Sequence, residues 1–413
     1  MKFKGTIKDV QHGDMRIGLP KKAQQIRVSR DLIRRLDHRI TPYFQFNLHR
    51  ITKNIAAVES EVRPDRLFYA VKCNSLPRVL HTVYATGCGF EINNKAEWMH
   101  LDRQGLSHAP MINSSPITSA GDIRFLYAKG VRTFCFDSRA QVDNLAVNAP
   151  GASAYVRLYH GNTGSRFKLN RLGVDLESAL DLIGYAGTRG LKPLGVTFHV
   201  GSQCKTPESF RQAIKVAARV FDVFPSLKVL NLGGGFPVAY GQPVPVLSSL
   251  GGVIRESLER YFTRRPEVWA EPGRFIVGDA AFTCASVIQV REAAPVSRAV
   301  IDMSVFSGFM EILEISDGFH YAVTGDSGRS GDFVRYDIGG PTCAGTDRIC
   351  ADVLLPRLAV NYAKPHLSSR LYFANTGAYT LDYIARHQQA GFNGARIPNI
   401  YYAGEGEYHE MAV

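Results

Sequence analysis

One periodicity dominates the chain between residues 66 and 274. A short run of β-branched and aromatic residues ends at a glycine, an asparagine or a polar residue, and a stretch with helical spacing follows. Strands that alternate with helical stretches of about 10 to 20 residues predict βαβ units and a parallel sheet. Eight units in about 210 residues favour a closed (β/α)8 barrel over an open sheet. The eight runs are Leu67–Val71, Gly89–Ile92, Met111–Asn113, Thr133–Asp137, Ala154–Leu158, Gly195–Val200, Val229–Leu232 and Val268–Glu271.

After about residue 280 the helical spacing fades. Strand-like segments then alternate with turns rich in Gly, Pro and Asp, and they comprise Ala281–Val290, Arg298–Asp302, Asp332–Ile338 and Arg370–Ala374. The expected fold class is therefore α/β, a (β/α)8 TIM-like barrel plus a β-rich second domain. We place the barrel at residues 37–280 and form the β-rich domain from residues 1–36 and 281–413. Residues 325–331, rich in Gly and Ser, are expected to form a mobile loop.

Composition sets limits on the class of protein. The 413 residues are 45% hydrophobic and 21% charged, which is ordinary for a globular chain. No run of 18 apolar residues occurs, so no membrane span is expected, and the first residues lack the apolar segment of a secretory signal. The seven cysteines are scattered and none forms a CxxC pair. That pattern favours reduced thiols in a cytoplasmic protein, with neither a disulfide framework nor a metal site.

The formal charge of +12 is concentrated at the amino terminus, where residues 1–35 hold ten Lys and Arg against three Asp. Basic patches interleaved with aromatics are missing from the sequence, as is any known nucleic-acid module, so no nucleic-acid partner is expected. Two interpretations of this basic arm remain open. It is a solvated segment, or it binds an acidic partner such as a carrier protein or a phosphorylated substrate.

The predicted strand ends carry a coherent set of chemical groups. Functional side chains of (β/α)8 barrels lie at the carboxyl ends of the strands, and these ends hold Lys72, His199, the run 233–235 of three glycines, Glu271 and Arg274. A lysine beside an apolar strand is expected to be desolvated, with a lowered pKa, and to condense with an aldehyde. The three glycines would let backbone N–H groups approach an anion. Glu271 could hold a pyridine nitrogen protonated, and Arg274 could bind phosphate.

Each group has an ordinary alternative when it is taken alone. The lysine could extend to solvent, the glycines could form a tight turn, the acid and the arginine could be a structural salt bridge, and the histidine could be a hydrogen-bonded core residue. Their occurrence together in strand-end register favours a site for an aromatic aldehyde that carries a phosphate.

Six motifs resemble the signatures of the fold-type III, pyridoxal-phosphate (PLP)-dependent basic amino-acid decarboxylases. This family includes ornithine, diaminopimelate and arginine decarboxylases and shares its barrel with alanine racemase. The resemblance covers residues from about 40 to 403 and is greatest to ornithine decarboxylase-like members. The motifs, in order, are Phe68-Tyr69-Ala70-Val71-Lys72-Cys73-Asn74, His199-Val200-Gly201-Ser202, Gly233-Gly234-Gly235-Phe236-Pro237, Glu271-Pro272-Gly273-Arg274, Gly340-Pro341-Thr342-Cys343 and Gly377-Ala378-Tyr379-Thr380.

The resemblance implies a role for each matching position. Lys72 would bind PLP covalently, His199 would stack on its ring, and Glu271 would pair with the pyridine nitrogen. Glu91, where the family usually has an aspartate, and Arg157 would lie beside the cofactor. The phosphate would be bound by Ser202, Gly235, Arg274 and Tyr379, and Gly233 and Gly234 would shape the loop of this cofactor site.

The resemblance also implies a homodimer with shared active sites. Cys343 would reach the site from the neighbouring subunit and steer protonation of the substrate Cα, and the substrate pocket would comprise Asp302, Cys343, Ala344 and Asp347. The family usually has an acid after the cysteine, which binds the substrate's distal amine, and Ala344 cannot form that ion pair. Asp302 resembles the family's second carboxylate for that amine, so Ala344 would remove one of two charge-assisted hydrogen bonds. Such a loss costs ~1.5–3 kcal/mol, roughly a ten- to hundredfold penalty.

The sequence therefore predicts a decarboxylase for an ornithine- or lysine-like amino acid, or for a modified, conjugated or carrier-linked diamino acid. Two alternatives to a decarboxylase fit the sequence less well. A racemase on the same barrel would use a tyrosine base and an arginine at the pyridine nitrogen, which Cys343 and Glu271 do not match. A non-catalytic binding protein related to decarboxylases would have no need to retain Lys72, His199 and Tyr379.

Overall fold

The computed structural model of the protein describes residues 27–28, 36, 38–159, 161, 164–167, 172–314, 321–326, 332–384, 392–403 and 411–412. The strands are β1 (Arg27–Val28), β2 (Tyr43–Phe46), β3 (Arg66–Ala70), β4 (Gly89–Glu91), β5 (Met111–Ile112), β6 (Thr133–Phe136), β7 (Ser153–Leu158), β8 (Ser165–Phe167), β9 (Lys192–Phe198), β10 (Ser202–Cys204), β11 (Val229–Asn231), β12 (Glu267–Ala270), β13 (Ala281–Arg291), β14 (Ser297–Ile301), β15 (Val323–Gly325), β16 (Phe333–Gly339), β17 (Arg348–Pro356), β18 (Arg370–Ala374), β19 (Asn399–Tyr402) and β20 (Met411–Ala412). The α-helices are α1 (Leu48–Glu61), α2 (Pro77–Tyr84), α3 (Lys95–Arg103), α4 (Ala120–Ala128), α5 (Arg139–Asn148), α6 (Leu176–Thr188), α7 (Pro207–Val223), α8 (Leu247–Tyr261) and α9 (Arg274–Val277).

Eight parallel strands form one sheet in the order β5–β4–β3–β12–β11–β9–β7–β6. The two ends of this sheet meet at a parallel bridge between Asn113 and Phe134, where the Asn113 amide donates to the Thr133 carbonyl over 3.0 Å. The sheet is therefore a closed barrel, which confirms the predicted fold. Each of the eight predicted runs overlaps one of its strands.

Polar caps start several of the helices that connect the barrel strands. The side chains of Asn94, Ser119 and Asp175 precede α3, α4 and α6, and each accepts a hydrogen bond from a backbone N–H of the first helical turn. Pro207 occupies the first position of α7, as its place in the sequence predicts, and Phe210 is buried on the inner face of that helix. These helices return the chain so that all eight strand ends share one mouth.

A cluster of buried side chains, separate from the main core, fills the barrel interior. The rings of Phe68 and Trp269 lie 5.2 Å apart, and Tyr155 meets Trp269 edge-on at 6.5 Å. The interior is therefore a packed core and not a pore, and the polar groups of a site can gather only above it. The cluster comprises Phe68, Ile112, Cys135, Tyr155, Val229 and Trp269.

The β-rich second domain is a mixed sheet in the order β15–β18–β13–β14–β16–β17, with β2 paired to β13 and β19 paired to β2. Strand β2 falls within residues 37–280, which the sequence assigned to the barrel. Its pairing instead puts Tyr43–Phe46 in the second sheet, where all four residues are buried. Leu36 packs against this sheet through Tyr43 and Phe282, while β1 pairs with β20. The assignment of residues 1–36 to the β-rich domain otherwise lies outside the described residues and stays a prediction.

Strands β15, β17 and β19 were not predicted. Strand β15 ends at Gly325, the first residue of the segment expected to be a mobile loop, and residues 327–331 of that segment lie outside the described residues. None of the helices that the structure describes is long and apolar enough to cross a membrane.

Candidate active site

Lys72 lies in a single 3-10 turn, Val71–Cys73, that follows β3 directly. Its Nζ donates to Oε2 of Glu91, the last residue of β4, over 2.5 Å. The Glu91 side chain is 1% exposed, whereas the Lys72 side chain is 42% exposed. Since β3 and β4 are neighbours in the barrel, this ion pair forms at the mouth, and the amine remains accessible from it.

The ion pair changes the protonation of Lys72 from what the sequence predicted. Desolvation at the barrel mouth alone would lower the pKa of Lys72. The charge and hydrogen bond of Glu91, together with the charges of Glu97 and Glu271, outweigh it, so that the pKa of Lys72 is raised. The expected lowering was wrong because it omitted the buried carboxylate on the next strand. Glu91 thus holds the amine charged, and it is placed to accept the proton that the amine must lose before it attacks a carbonyl.

Glu271 follows β12 and is buried. Its Oε1 accepts hydrogen bonds from the Ser114 hydroxyl and from Asn231 Nδ2, the latter over 2.5 Å, and the Ser114 hydroxyl also contacts the Tyr155 hydroxyl. Within the described residues, no donor reaches Oε2. Burial, followed by the charge of Glu91, raises the pKa of Glu271. A buried carboxylate with one open oxygen is a suitable partner for a protonated pyridine nitrogen.

His199 follows β9 and is held as a neutral ring. Its Nδ1 accepts a hydrogen bond from the Gly201 amide over 2.9 Å, which leaves the proton on Nε2. Burial, followed by the charges of Arg157 and Lys72, lowers the pKa of His199 to about 3. A neutral imidazole suits stacking on a flat aromatic ligand. Arg157, on β7, lies close enough to influence the ring and is itself half-buried.

The turn after β11 is built from Gly233, Gly234 and Gly235, and two of these residues have φ values of 62° and 103°. A Cβ at Gly234 would lie 2.8 Å from the Glu271 carbonyl oxygen, and one at Gly235 would lie 2.6 Å from the Gly201 carbonyl oxygen. Only glycine fits these positions. The Gly233 amide donates to Asn231 Oδ1, whereas the amides of Gly234 and Gly235 have no acceptor among the described residues, as an anion-binding turn requires.

Arg274 begins α9 and lies beside the glycine turn. Its Nε donates to Ser202 Oγ over 3.1 Å, and its Cζ lies 4.7 Å from the ring centre of Tyr379, a residue of the second domain with a φ of 53°. The Cys204 amide donates to the Gly235 carbonyl over 2.9 Å and so fixes β10, which carries Ser202, against the glycines. The open amides, the hydroxyl and the guanidinium together fit a phosphate group.

Sequence reasoning missed Glu311, which pairs with Arg274. The Arg274 Nη1 donates to Glu311 Oε2 over 2.8 Å, and Nη2 donates to Oε1. The Tyr240 hydroxyl accepts a further bond from Nη1 over 3.0 Å. Glu311 lies in the 3-10 segment Met310–Glu314, outside the barrel, so no strand-end rule points to it.

The second domain is bonded to the turn that carries Lys72. The Tyr379 amide donates to the Cys73 carbonyl over 2.9 Å, and Asn74 Nδ2 donates to the Gly377 carbonyl over 2.7 Å. These two bonds join residues 377–379 of the second domain to the residues that directly follow the lysine.

Asp302 has no hydrogen bond or ion pair with Lys72 in the part of the chain that the structure describes. Its Oδ1 accepts a hydrogen bond from the Ser286 amide over 2.8 Å, and its Oδ2 accepts one from the Thr41 hydroxyl over 2.6 Å. It lines a cavity of about 670 Å³ in the second domain that also includes Arg370. Each carboxylate oxygen thus accepts one hydrogen bond within the second domain, and the ion pair of Asp302 with a substrate amine stays a prediction.

The loop between β16 and β17 carries the other predicted substrate residues. Cys343 is exposed and Ala344 is half-buried. Asp347 is buried, and its hydrogen bonds hold the loop. Its Oδ1 accepts a bond from the Val305 amide over 2.8 Å, and its Oδ2 accepts two from Thr342. Asp347 therefore anchors the loop, and its place in the substrate pocket stays a prediction. No hydrogen bond or ion pair among the described residues joins this loop to Lys72.

A lysine amine, a buried carboxylate, a neutral imidazole and an anion-binding turn share the mouth of one (β/α)8 barrel. This combination of fold and site defines the barrel class of PLP-dependent enzymes. Residues 48–278 match the family described as "Pyridoxal-dependent decarboxylase, pyridoxal binding domain". The chain belongs to this family, and it is a PLP-dependent amino-acid decarboxylase.

Curated relatives and solved structures match along most of the chain. The lysine/ornithine decarboxylase of Selenomonas ruminantium is 28% identical over 93% of this chain and 96% of its own length. The ornithine decarboxylase of Mus musculus is 30% identical over 81% of this chain and 74% of its own length. The structure of a lysine/ornithine decarboxylase from Vibrio vulnificus, complexed with cadaverine, superimposes with a TM-score of 0.81 at 25% identity, covering 91% of this chain and 100% of that one.

Proposed function

We propose that this enzyme removes CO2 from an L-amino acid whose side chain carries an amine or a modified amine, with ornithine- and lysine-like compounds as the substrate class. The observation that carries the proposal is the placement of Lys72 and Glu271 at the mouth of one barrel, each with a defined partner. The names of the relatives, which act on lysine and ornithine, support the substrate class.

The chemistry divides between the cofactor and this chain. When bound, PLP accepts the electron pair that CO2 leaves at the substrate Cα. Lys72 would hold the cofactor through its amine, and Glu91 would accept and return the proton at Nζ. Glu271 Oε2 would hold a proton on the pyridine nitrogen, and the neutral His199 ring would stack on the cofactor ring. The phosphate would be bound by Ser202, the open amides of Gly234 and Gly235, Arg274 and Tyr379, while Gly233 would shape the turn because its amide donates to Asn231 Oδ1.

The family resemblance implies a homodimer in which each subunit supplies Cys343 to its partner's barrel mouth. The exposed position of Cys343, without a bond to Lys72 among the described residues, is consistent with that arrangement. Mixing subunits of two inactive variants tests this arrangement. Refolded mixtures of Lys72→Ala and Cys343→Ala are expected to recover about a quarter of wild-type activity, because half of the dimers are mixed and each mixed dimer has one intact site. CO2 release is measured before and after mixing. Recovery no greater than the sum of the two unmixed variants would place Cys343 and Lys72 in the same subunit's site.

Ala344 bears on the choice of substrate, because it follows Cys343 in the loop that would enter the partner's site. Ala344→Asp supplies a carboxylate for an unmodified distal amine, which should raise kcat/KM for ornithine about ten- to hundredfold. The measurement is steady-state CO2 release from ornithine, with Ala344→Asn as the uncharged control. An unchanged kcat/KM in both variants would remove this residue from the distal pocket.

The direct test of the proposed function is a panel of L-amino acids assayed for CO2 release. The panel includes ornithine, lysine, arginine and diaminopimelate, together with N-acylated and phosphorylated diamino acids. Release from ornithine or lysine supports the simple substrate. Release only from conjugates supports the specialised alternative, in which the basic arm of residues 1–35 would bind an acidic carrier. A PLP-loaded protein that releases CO2 from none of them contradicts the proposal.

A further inference from the structure

The two charged groups nearest the phosphate side of the site neutralise each other in a buried pair. Arg274 is 4% exposed and Glu311 is 2% exposed, and the guanidinium binds both carboxylate oxygens. We propose that Glu311 takes up a proton when a phosphate group binds at Arg274, so that binding of the cofactor depends on proton concentration. This inference rests on the proposed assignment of Arg274 to the cofactor's phosphate.

Charge balance is the reason. A phosphate monoester carries close to two negative charges at neutral pH, and Arg274 supplies one positive charge that Glu311 already uses. With water excluded from both partners, a second anion beside the carboxylate disfavours its ionised form. A protonated Glu311 resolves the conflict, because it can donate its O–H to a phosphate oxygen while its other oxygen still accepts from the guanidinium.

Among the described groups around the pair, Glu311 is the one suited to take up the added proton. Burial raises its pKa despite the opposing charge of Arg274, and Glu314 raises it further, while Arg166 lowers it. Among the described residues, the other titratable groups beside the pair are Cys73 and the tyrosines Tyr240, Tyr321, Tyr379 and Tyr383. Burial raises the pKa of each, so they stay protonated.

Calorimetry of a probe without an aldehyde isolates this effect from the reaction at Lys72. The probe is 4-deoxypyridoxine 5'-phosphate, titrated into the folded protein at about pH 8 in buffers of different ionisation enthalpy. Wild type is expected to take up about one proton more than Glu311→Gln, which keeps the acceptor for Arg274 but cannot titrate. Between pH 7 and 9 the affinity of wild type should fall about tenfold more per pH unit than that of the variant.

A matched control lies three residues away. Glu314 is exposed and accepts a hydrogen bond from the Tyr383 hydroxyl, so Glu314→Gln should bind the probe with the wild-type proton count. A second measurement needs no variant. The infrared difference spectrum of wild type should gain the carbonyl band of a protonated carboxyl group when the probe binds.

The outcomes distinguish the role of Glu311 from the assignment of Arg274 to phosphate. Equal proton counts in wild type and Glu311→Gln, with binding intact and no new carboxyl band, would overturn the role of Glu311 alone. Failure of wild type to bind the phosphate probe at all would overturn the assignment of Arg274 to phosphate, and the proposed function with it.

Discussion

Lys72→Ala is expected to abolish CO2 release, by at least about a thousandfold, and to remove the visible absorbance of the PLP-loaded protein. The amine is the nucleophile that anchors the cofactor, and losses of that size follow removal of a covalent catalytic group. The variant also leaves the buried Glu91 carboxylate without its partner, so we expect the free energy of unfolding to fall by about 1–3 kcal/mol. Absorbance spectra, CO2 assays and urea unfolding measure the three effects.

Two companion variants separate chemistry from stability. Lys72→Arg keeps a positive charge beside Glu91 but cannot form the covalent link, so it should be nearly as stable as wild type and as inactive as Lys72→Ala. Lys53→Ala removes an exposed lysine on α1 and should change neither property. Substantial activity in Lys72→Arg would contradict the covalent role of this residue.

Glu271→Gln should reduce kcat for decarboxylation about a hundred- to thousandfold while the cofactor stays bound. The side-chain amide oxygen of Gln can replace Oε1 as acceptor for Ser114 and Asn231, so the local packing is retained. The amide nitrogen would then occupy the open position of Oε2 and present N–H groups where a carboxylate is needed. The variant would lose the stabilisation that the buried carboxylate charge gives to a protonated pyridine nitrogen.

Cofactor content and kcat are measured together for this variant. Ser114→Ala is the matched control, because it removes one hydrogen bond to Oε1 but leaves the carboxylate charge, and it should cost no more than about tenfold. A Glu271→Gln enzyme that retains kcat within about threefold of wild type would show that the carboxylate charge is dispensable.

The barrel could be predicted because each strand is followed by a helix that must bury one face. That constraint leaves a regular signal, as in Pro207–Val223, where apolar residues recur at helical spacing. The second sheet gives a weaker signal. Strand β17 departs from simple alternation at Asp352, which has a φ of 52°, and β2 pairs with a partner more than 200 residues away. Pairing at such separation leaves no local trace in the sequence.

The site was predictable where residues follow strand ends and unpredictable elsewhere. Lys72, His199 and Glu271 share one mouth because parallel strands end at the same edge. Glu311 lies in a short turn of the second domain, and only the fold brings it to Arg274. Asp302 was assigned from the residues around it, whereas its hydrogen bonds to Thr41 and Ser286 depend on long-range packing.

The bonds from Tyr379 to the Cys73 carbonyl and from Asn74 to the Gly377 carbonyl have a mechanical consequence. They attach the second domain to the chain within two residues of the reactive amine. A rigid-body rotation of one domain against the other would move Lys72 away from Glu91 or break both hydrogen bonds. We therefore expect small molecules to enter and leave the barrel mouth through rearrangement of surface loops, with these two attachments kept.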